Sequence, residues 1–290
     1  MRRSTLLLAV GMCLAGAALG HAQETMMTPP KVLAITREVV KPGKTAVHTN
    51  WEAGWPHAFA KANWPVNYLA LSSLTGESRA LFLAGFDSME AWEKDRLAQE
   101  MNTELTAEED RLNLTDGDYL SGSSQAVARY VPELSYHPDV PVAGTHYFMI
   151  TAVHVKPGHA DHFTDVRKLI KAAHEKANLS DHYAIYHIAI GAPGGTYLII
   201  APLKSAAELD QSENIHGQAY KDALGDEGRK QIADFTSQGL EGTESQLFVF
   251  SPKMSYVSKD WIAADSDFWA PKPVVTATAK KDKQKVSAKQ

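Results

Sequence analysis

Val40-Lys41-Pro42-Gly43 returns as Val155-Lys156-Pro157-Gly158, 115 positions later. The residues around it return at the same offset. Ile35-Thr36 comes back as Ile150-Thr151, Lys61-Ala62-Asn63 as Lys176-Ala177-Asn178, Tyr68 as Tyr183 and Gly76 as Gly191. Further on the offset drifts to 120, where Leu120, Gly122, Pro132 and Ser135-Tyr136 return as Leu240, Gly242, Pro252 and Ser255-Tyr256. An offset held over such distances, with a small drift, is the trace of a duplicated unit with minor insertions.

The second copy shows what the unit is. Residues 146–155 are rich in β-branched and aromatic side chains and predict a strand. Lys-Pro-Gly stops it. Residues 159–177 place Phe163, Val166, Ile170, Ala173 and Ala177 on one helical face. Strands are predicted at 182–190 and 196–202, short and long helices at 205–209 and about 218–238, and a last strand at 246–256. The first copy runs in parallel, with strands at 32–40, 67–74, 79–86 and 125–136, helices at 44–62 and about 107–112, and a helix opened by residues 88–92. The order in each copy is βαββαβ, a ferredoxin-like split unit. Apolar residues occupy both faces of the strands: Leu33, Ile35 and Val39 on one parity, Val32 and Ala34 on the other. Strands of that kind need cover on both sides. The fold expected is therefore α+β, two tandem ferredoxin-like domains packed sheet to sheet as an intramolecular barrel with helices outside. The boundaries expected are 31–136 for the first domain, 137–144 for a linker and 145–257 for the second domain. A C-terminal extension over 258–290 is expected to be disordered and Lys-rich at its end.

The strand–Lys-Pro-Gly–helix openings, residues 37–43 and 152–158, and the paired strands after each first helix resemble the dimeric α/β-barrel superfamily. That superfamily includes antibiotic-biosynthesis monooxygenase-like and NIPSNAP-like domains. The resemblance covers about residues 31–256. It implies a barrel usually made by two chains and here carried by one, an intramolecular pseudo-dimer. It also implies several activities: cofactor-independent oxygenation, haem binding or degradation, or none. No catalytic set of the superfamily matches this chain residue by residue.

The ends and the composition narrow the classes. Arg2-Arg3, an apolar run from Leu6 to Leu19 and Gly20-His21-Ala22 read as a signal peptide over 1–22, cleaved after Ala22. The run is too short to span a bilayer as a mature helix. The expected location is periplasmic or extracellular. Cys13, the single cysteine, falls inside the segment, which leaves the mature chain without disulfides or thiolate chemistry. Losing Arg2 and Arg3 leaves 27 basic against 34 acidic residues, a charge of −7, which speaks against a nucleic-acid partner. From Pro271 on the chain has no apolar periodicity and ends in lysines, the composition of a solvated tail.

The copies differ in their reactive side chains. The first carries Trp51, Trp55 and His57 around its helix, and these offer an aromatic wall for a flat ligand. In the repeat register Trp51 and Trp55 fall on Val166 and Ile170, which favours a core role. The second copy carries most of the histidines. His154 and His187 lie within strands and are the candidates for acid–base work or ligand orientation. His159 and His162 are three apart on a helix but sit in its first turn, where solvated polar residues are usual. HExxH, GxSxG, a P-loop and a strand-bound GxGxxG are absent, and no metal set is read. The expectation is a protein that binds, and in one version oxidises, a small apolar or aromatic metabolite without a tightly held cofactor. The alternatives are a non-catalytic envelope scaffold and a haem-binding protein.

Overall fold

A computed structural model describes residues 28–211 and 217–270 of the 290-residue chain. The expected signal segment, His216 and the tail from Pro271 lie outside the described residues. The chain runs β1 (Val32–Val40), α1 (Thr45–Glu52), α2 (Gly54–Lys61), β2 (Tyr68–Ser73), β3 (Arg79–Phe86), α3 (Met89–Met101), α4 (Thr103–Asp116) and β4 (Leu120–Tyr130). It continues through β5 (Tyr147–Val155), α5 (Ala160–Ala177), β6 (Ala184–Ile190), β7 (Thr196–Leu203), α6 (Glu208–Gln211), α7 (Gln218–Gln238) and β8 (Leu240–Phe250). Two short helices, α8 (Lys259–Ala264) and α9 (Ser266–Trp269), complete it.

The eight strands close into one antiparallel barrel in the order β1-β3-β2-β8-β5-β7-β6-β4. Alternation along each strand sorts the side chains. Leu33, Ile35, Leu71, Leu83, Phe148, Ile150, Ile200 and Phe248 fill the interior. An eight-stranded barrel is just wide enough for side chains to do this. The opposite parity meets helices. Val153 and Val155 pack on Phe163, Val166 and Phe235 in the second half. Val32 and Val127 pack with Phe86 beside Trp92 of α3 in the first. The sheets are thus not two stacked layers. They join edge to edge, and both strand faces are covered, one by the shared interior and one by helices.

The recurring residues concentrate at the seams. The amide N–H of Ala70 in β2 donates to Ser255 Oγ at 2.9 Å, and that of Ile185 in β6 donates to Ser135 Oγ at 2.9 Å. Tyr68 bridges Tyr256, and Tyr183 bridges Tyr136. The Ser-Tyr pair that ends each half therefore pairs with the strand opening of the other half. Gly43 and Gly158 both take a left-handed φ, +75° and +82°, which explains why both turns spell Lys-Pro-Gly. Asn63 and Asn178 do the same after helices α2 and α5.

Several elements depart from the sequence reading, β8 among them, which spans Leu240–Phe250 where a strand over 246–256 was expected. The first helix breaks at Ala53 into α1 and α2, and a Cβ on Gly54 would lie 2.6 Å from Leu112 Cδ2, so α4 crosses where there is no side chain. Strand β4 begins at Leu120, because Leu120 and Gly122-Ser123-Ser124 pair with β1 through their backbone, with Ser121 bulged between them, despite lacking any apolar alternation. Most consequential, residues 258–270 fold. Trp269 is 3% exposed, joins the barrel interior and donates Nε1–H to Ala143 O at 2.8 Å. His146 stacks on Phe268 with ring centroids 4.0 Å apart and reaches Asp265 Oδ2 at 2.7 Å. This segment covers part of one barrel end. Among the described residues no helix is long and apolar enough to cross a membrane.

Candidate functional site

Where α8 and α9 leave the barrel end uncovered, a cavity of about 650 Å³ opens. Leu33, Leu69, Leu83, Phe148, Tyr186 and Ile200 form its inner wall. Its rim comes from Pro29 and Pro30, from Val140 and Val142 between the halves, and from Val257 and Trp261 after β8. The size lies in the range of small-molecule pockets, which are largely apolar with a few polar groups. Two of its polar groups are engaged, while the buried hydroxyls of Tyr68 and Tyr183, which also belong to lining residues, have no hydrogen-bond partner. Tyr186 donates its hydroxyl to Pro30 O at 3.1 Å, and burial pushes that hydroxyl well above the ordinary phenol range. His182 Nε2 donates to Pro202 O at 2.8 Å.

The residues singled out in the sequence lie elsewhere. Trp51 and Trp55 sit outside the barrel, packed with Phe59, Leu105 and Leu112. Trp51 donates Nε1–H to Leu112 O at 2.9 Å, and Arg111 lies over its ring. His57 is exposed. None of the three lines the barrel-mouth cavity, and neither do His154 and His187. Those two histidines flank neighbouring residues of β7. His154 Nδ1 lies 3.2 Å from Thr196 Oγ1, while the His187 ring packs 4.8 Å from that of Tyr197. Successive residues of a strand face opposite ways. The two imidazoles are therefore on opposite faces of the sheet and cannot flank one ligand.

A second polar constellation was missed in the sequence. Beneath the helices of the first half, Glu38 of β1, His48 and Glu52 of α1 and Asp116 of α4 converge, with one ligand atom from each inside a 4.8 Å span. His48 Nε2 lies 2.9 Å from Glu38 Oε2 and 3.6 Å from Asp116 Oδ1. Trp55 donates Nε1–H to Glu52 Oε1 at 3.1 Å. Burial, then the charges of Glu38 and Asp116, push the Glu52 carboxyl up to about 9. Burial and Glu38 also raise Asp116. Two signals were available. His48 and Glu52 are four apart and share a helix face, and Glu38 interrupts an apolar strand. Asp116 gives no such signal, because only the fold of α4 brings it there.

No protein-family model matches this sequence, and no curated protein matches it. Solved structures do. An anthrone oxidase-like protein superposes with a TM-score of 0.51 at 12% identity, covering 79% of this chain and 94% of the other. A proposed monooxygenase of Fusobacterium nucleatum gives 0.50 at 9%, covering 77% and 94%. A chlorite dismutase mutant of Candidatus Nitrospira defluvii gives 0.46 at 11%, covering 85% and 99%. The fold is that of the dimeric α/β barrels. At such identities the likeness extends to the fold alone.

Proposed function

We propose that this chain is an exported pseudo-dimer of two duplicated ferredoxin-like units that binds one small, largely apolar molecule at the mouth of its barrel. The observation that carries the reading is the cavity of about 650 Å³, walled by the apolar ends of strands from both halves. Its apolar wall of Leu33, Leu69, Leu83, Phe148 and Ile200 favours a ligand held by shape and apolar contact. Binding is favoured over oxidation, because His154 and His187 do not reach the cavity. An iron porphyrin fits less well. The histidine lining this cavity is His182, and its Nε2 is committed to Pro202 O. The seams support the duplication, since both halves use the same Ser-Tyr contacts. Export rests on Arg2-Arg3, the Leu6-to-Leu19 run and Ala22.

The neutral fluorophore N-phenyl-1-naphthylamine tests the binding reading. Its emission should rise saturably at one probe per chain. Val140→Trp, which fills the rim between the halves, should weaken the affinity at least tenfold with the far-ultraviolet circular dichroism unchanged. A rise that does not saturate, or equal affinity in both proteins, overturns the reading.

A further inference from the structure

The barrel-mouth cavity does not explain why the first half buries a histidine and two carboxylates together, with a third half-buried beside them. We infer that Glu38, His48, Glu52 and Asp116 form a closed site for one divalent transition-metal ion that ties α1 and α4 to β1.

Spacing is the first support. With bonds of about 2.0–2.2 Å to nitrogen and oxygen, ligand atoms around one ion lie roughly 3.0 to 3.5 Å apart. His48 Nε2 stands 2.9 Å from Glu38 Oε2 and 3.6 Å from Asp116 Oδ1, and all four ligand atoms fall within 4.8 Å. An ion would thus require small side-chain shifts and no movement of the backbone.

The second support is independent of spacing. Asp116 is 4% exposed and shares a side-chain hydrogen bond with Glu52, yet its Oδ1, aimed at the imidazole, has no donor within hydrogen-bond distance. A buried oxygen left unpaired costs about 1–3 kcal/mol, more when charged. A metal ion would satisfy it.

Donor chemistry selects the class of ion. Imidazole suits zinc, iron and nickel, carboxylates suit manganese and magnesium, and a mixed set points to zinc, manganese or ferrous iron. His48 and Glu52 are 1% and 2% exposed, so no coordination position faces solvent. Four protein ligands with no open position mark a structural site rather than a catalytic one. Glu38, with its side chain 12% exposed, offers the route in. For Nε2 to bind metal, the ring proton has to sit on Nδ1.

Other candidates are weaker. His146 with Asp265 is a pair that docks α9, and His159 with His162 brings no buried carboxylate.

The test uses the full mature chain, stripped with chelator and then titrated with zinc or manganese ions. Calorimetry and elemental analysis after dialysis should give one ion per chain. Thermal unfolding should shift upward with zinc or manganese and not with magnesium. Glu52→Gln keeps the side-chain size and still accepts from Trp55 Nε1; it should weaken retention at least tenfold. His48→Ala should do the same, whereas His159→Ala/His162→Ala should leave it unchanged. Wild-type tryptophan emission should also change, saturating at one equivalent, because Trp55 bonds directly to Glu52. That readout stands even where a variant fails to fold. No retained ion and no emission change in the wild type, or retention unaffected by Glu52→Gln and lost with the surface histidines, overturns the site. Probe binding at the barrel mouth is a separate measurement, so either result can fail alone.

Discussion

The two halves of this molecule build the same layer from opposite materials. Between helix and sheet the second half places Val153, Phe163 and Phe235, all buried and apolar. In the 115-residue register the first half puts Glu38 where Val153 stands and His48 where Phe163 stands. At the 120-residue offset that holds here, Asp116 at the end of α4 falls on Thr236, one residue after Phe235 in α7. Glu52 answers to Arg167, which lies over the Tyr183 ring and whose guanidinium is pushed down by burial. The backbone is satisfied by either solution. Burying charge costs several kcal/mol per ion before pairing returns any of it, and well-packed apolar residues commonly do as well or better. The second half shows that this fold can place apolar residues at two of these positions, Val153 for Glu38 and Phe163 for His48, while keeping a buried cation, Arg167, at that of Glu52. The first half keeps its polar set at a cost, and that difference is what points to a bound ion.

The contrast can be broken most easily in the second half, where stability should rest on packing. Phe163 touches Tyr197 and Phe235, with ring centroids 4.2 and 5.9 Å away. Phe163→Ala should cost about 3–5 kcal/mol, the usual loss for a buried phenylalanine. Urea unfolding measures it. A loss below about 1 kcal/mol would mean that this layer is not packed as tightly as the contacts imply.

The seams should behave in the opposite way, alike in both halves. Ser135→Ala leaves the buried amide of Ile185 unpaired, and Ser255→Ala does the same to Ala70. Each should cost about 1–3 kcal/mol. The two losses should agree within experimental error, again by urea unfolding. Unequal losses would show that the recurrence of Ser-Tyr in the sequence is not matched by equal work in the structure.

That division also explains what the sequence made legible. Turn glycines, helix-end asparagines and seam serines recur because each answers a local backbone demand, and local demands leave residue-level traces. The strand–helix alternation and both inner faces followed from periodicity for the same reason. The closure by residues 258–270 did not. Trp261, Phe268 and Trp269 are too few and too close to a polar tail to show a period, and their partners are barrel residues distant in the sequence. The polar cluster was hidden for a related reason. Its members come from β1, α1 and α4, and one of them, Asp116, lies 64 residues after Glu52. What stands out in the sequence is abundance, tryptophan in the first half and histidine in the second. Abundance says little about which side chains meet.

The gentlest test of the comparison is a position where the roles are reversed. Phe59 packs with Tyr68 and Tyr256 in the first half, at 5.6 and 5.9 Å. Its counterpart 115 residues on is His174, packed with Tyr183 and Tyr136 at 5.7 and 5.3 Å. His174 is 4% exposed, and burial holds its imidazole below the ordinary value of 6.5, opposed by Ile170 O and Asp181. A base depressed on folding takes up its proton more readily in the unfolded chain. Stability from this group is therefore intact above pH 6.5 and is lost as pH falls from there toward the folded value. The loss is at most about 1.4 kcal/mol per pH unit. His174→Phe installs the residue that the first half already uses and removes the titration. It gives up the Nδ1–H bond to Ile170 O, 2.8 Å long, so at pH 7.5 it should match the wild type or fall slightly below it. Between pH 6.5 and 5.5 the variant should lose less stability than the wild type by up to about 1.4 kcal/mol, read from paired urea titrations. Parallel losses in the two proteins would mean that His174 does not titrate with folding. The two aromatic clusters would then be equivalent in chemistry as well as in position.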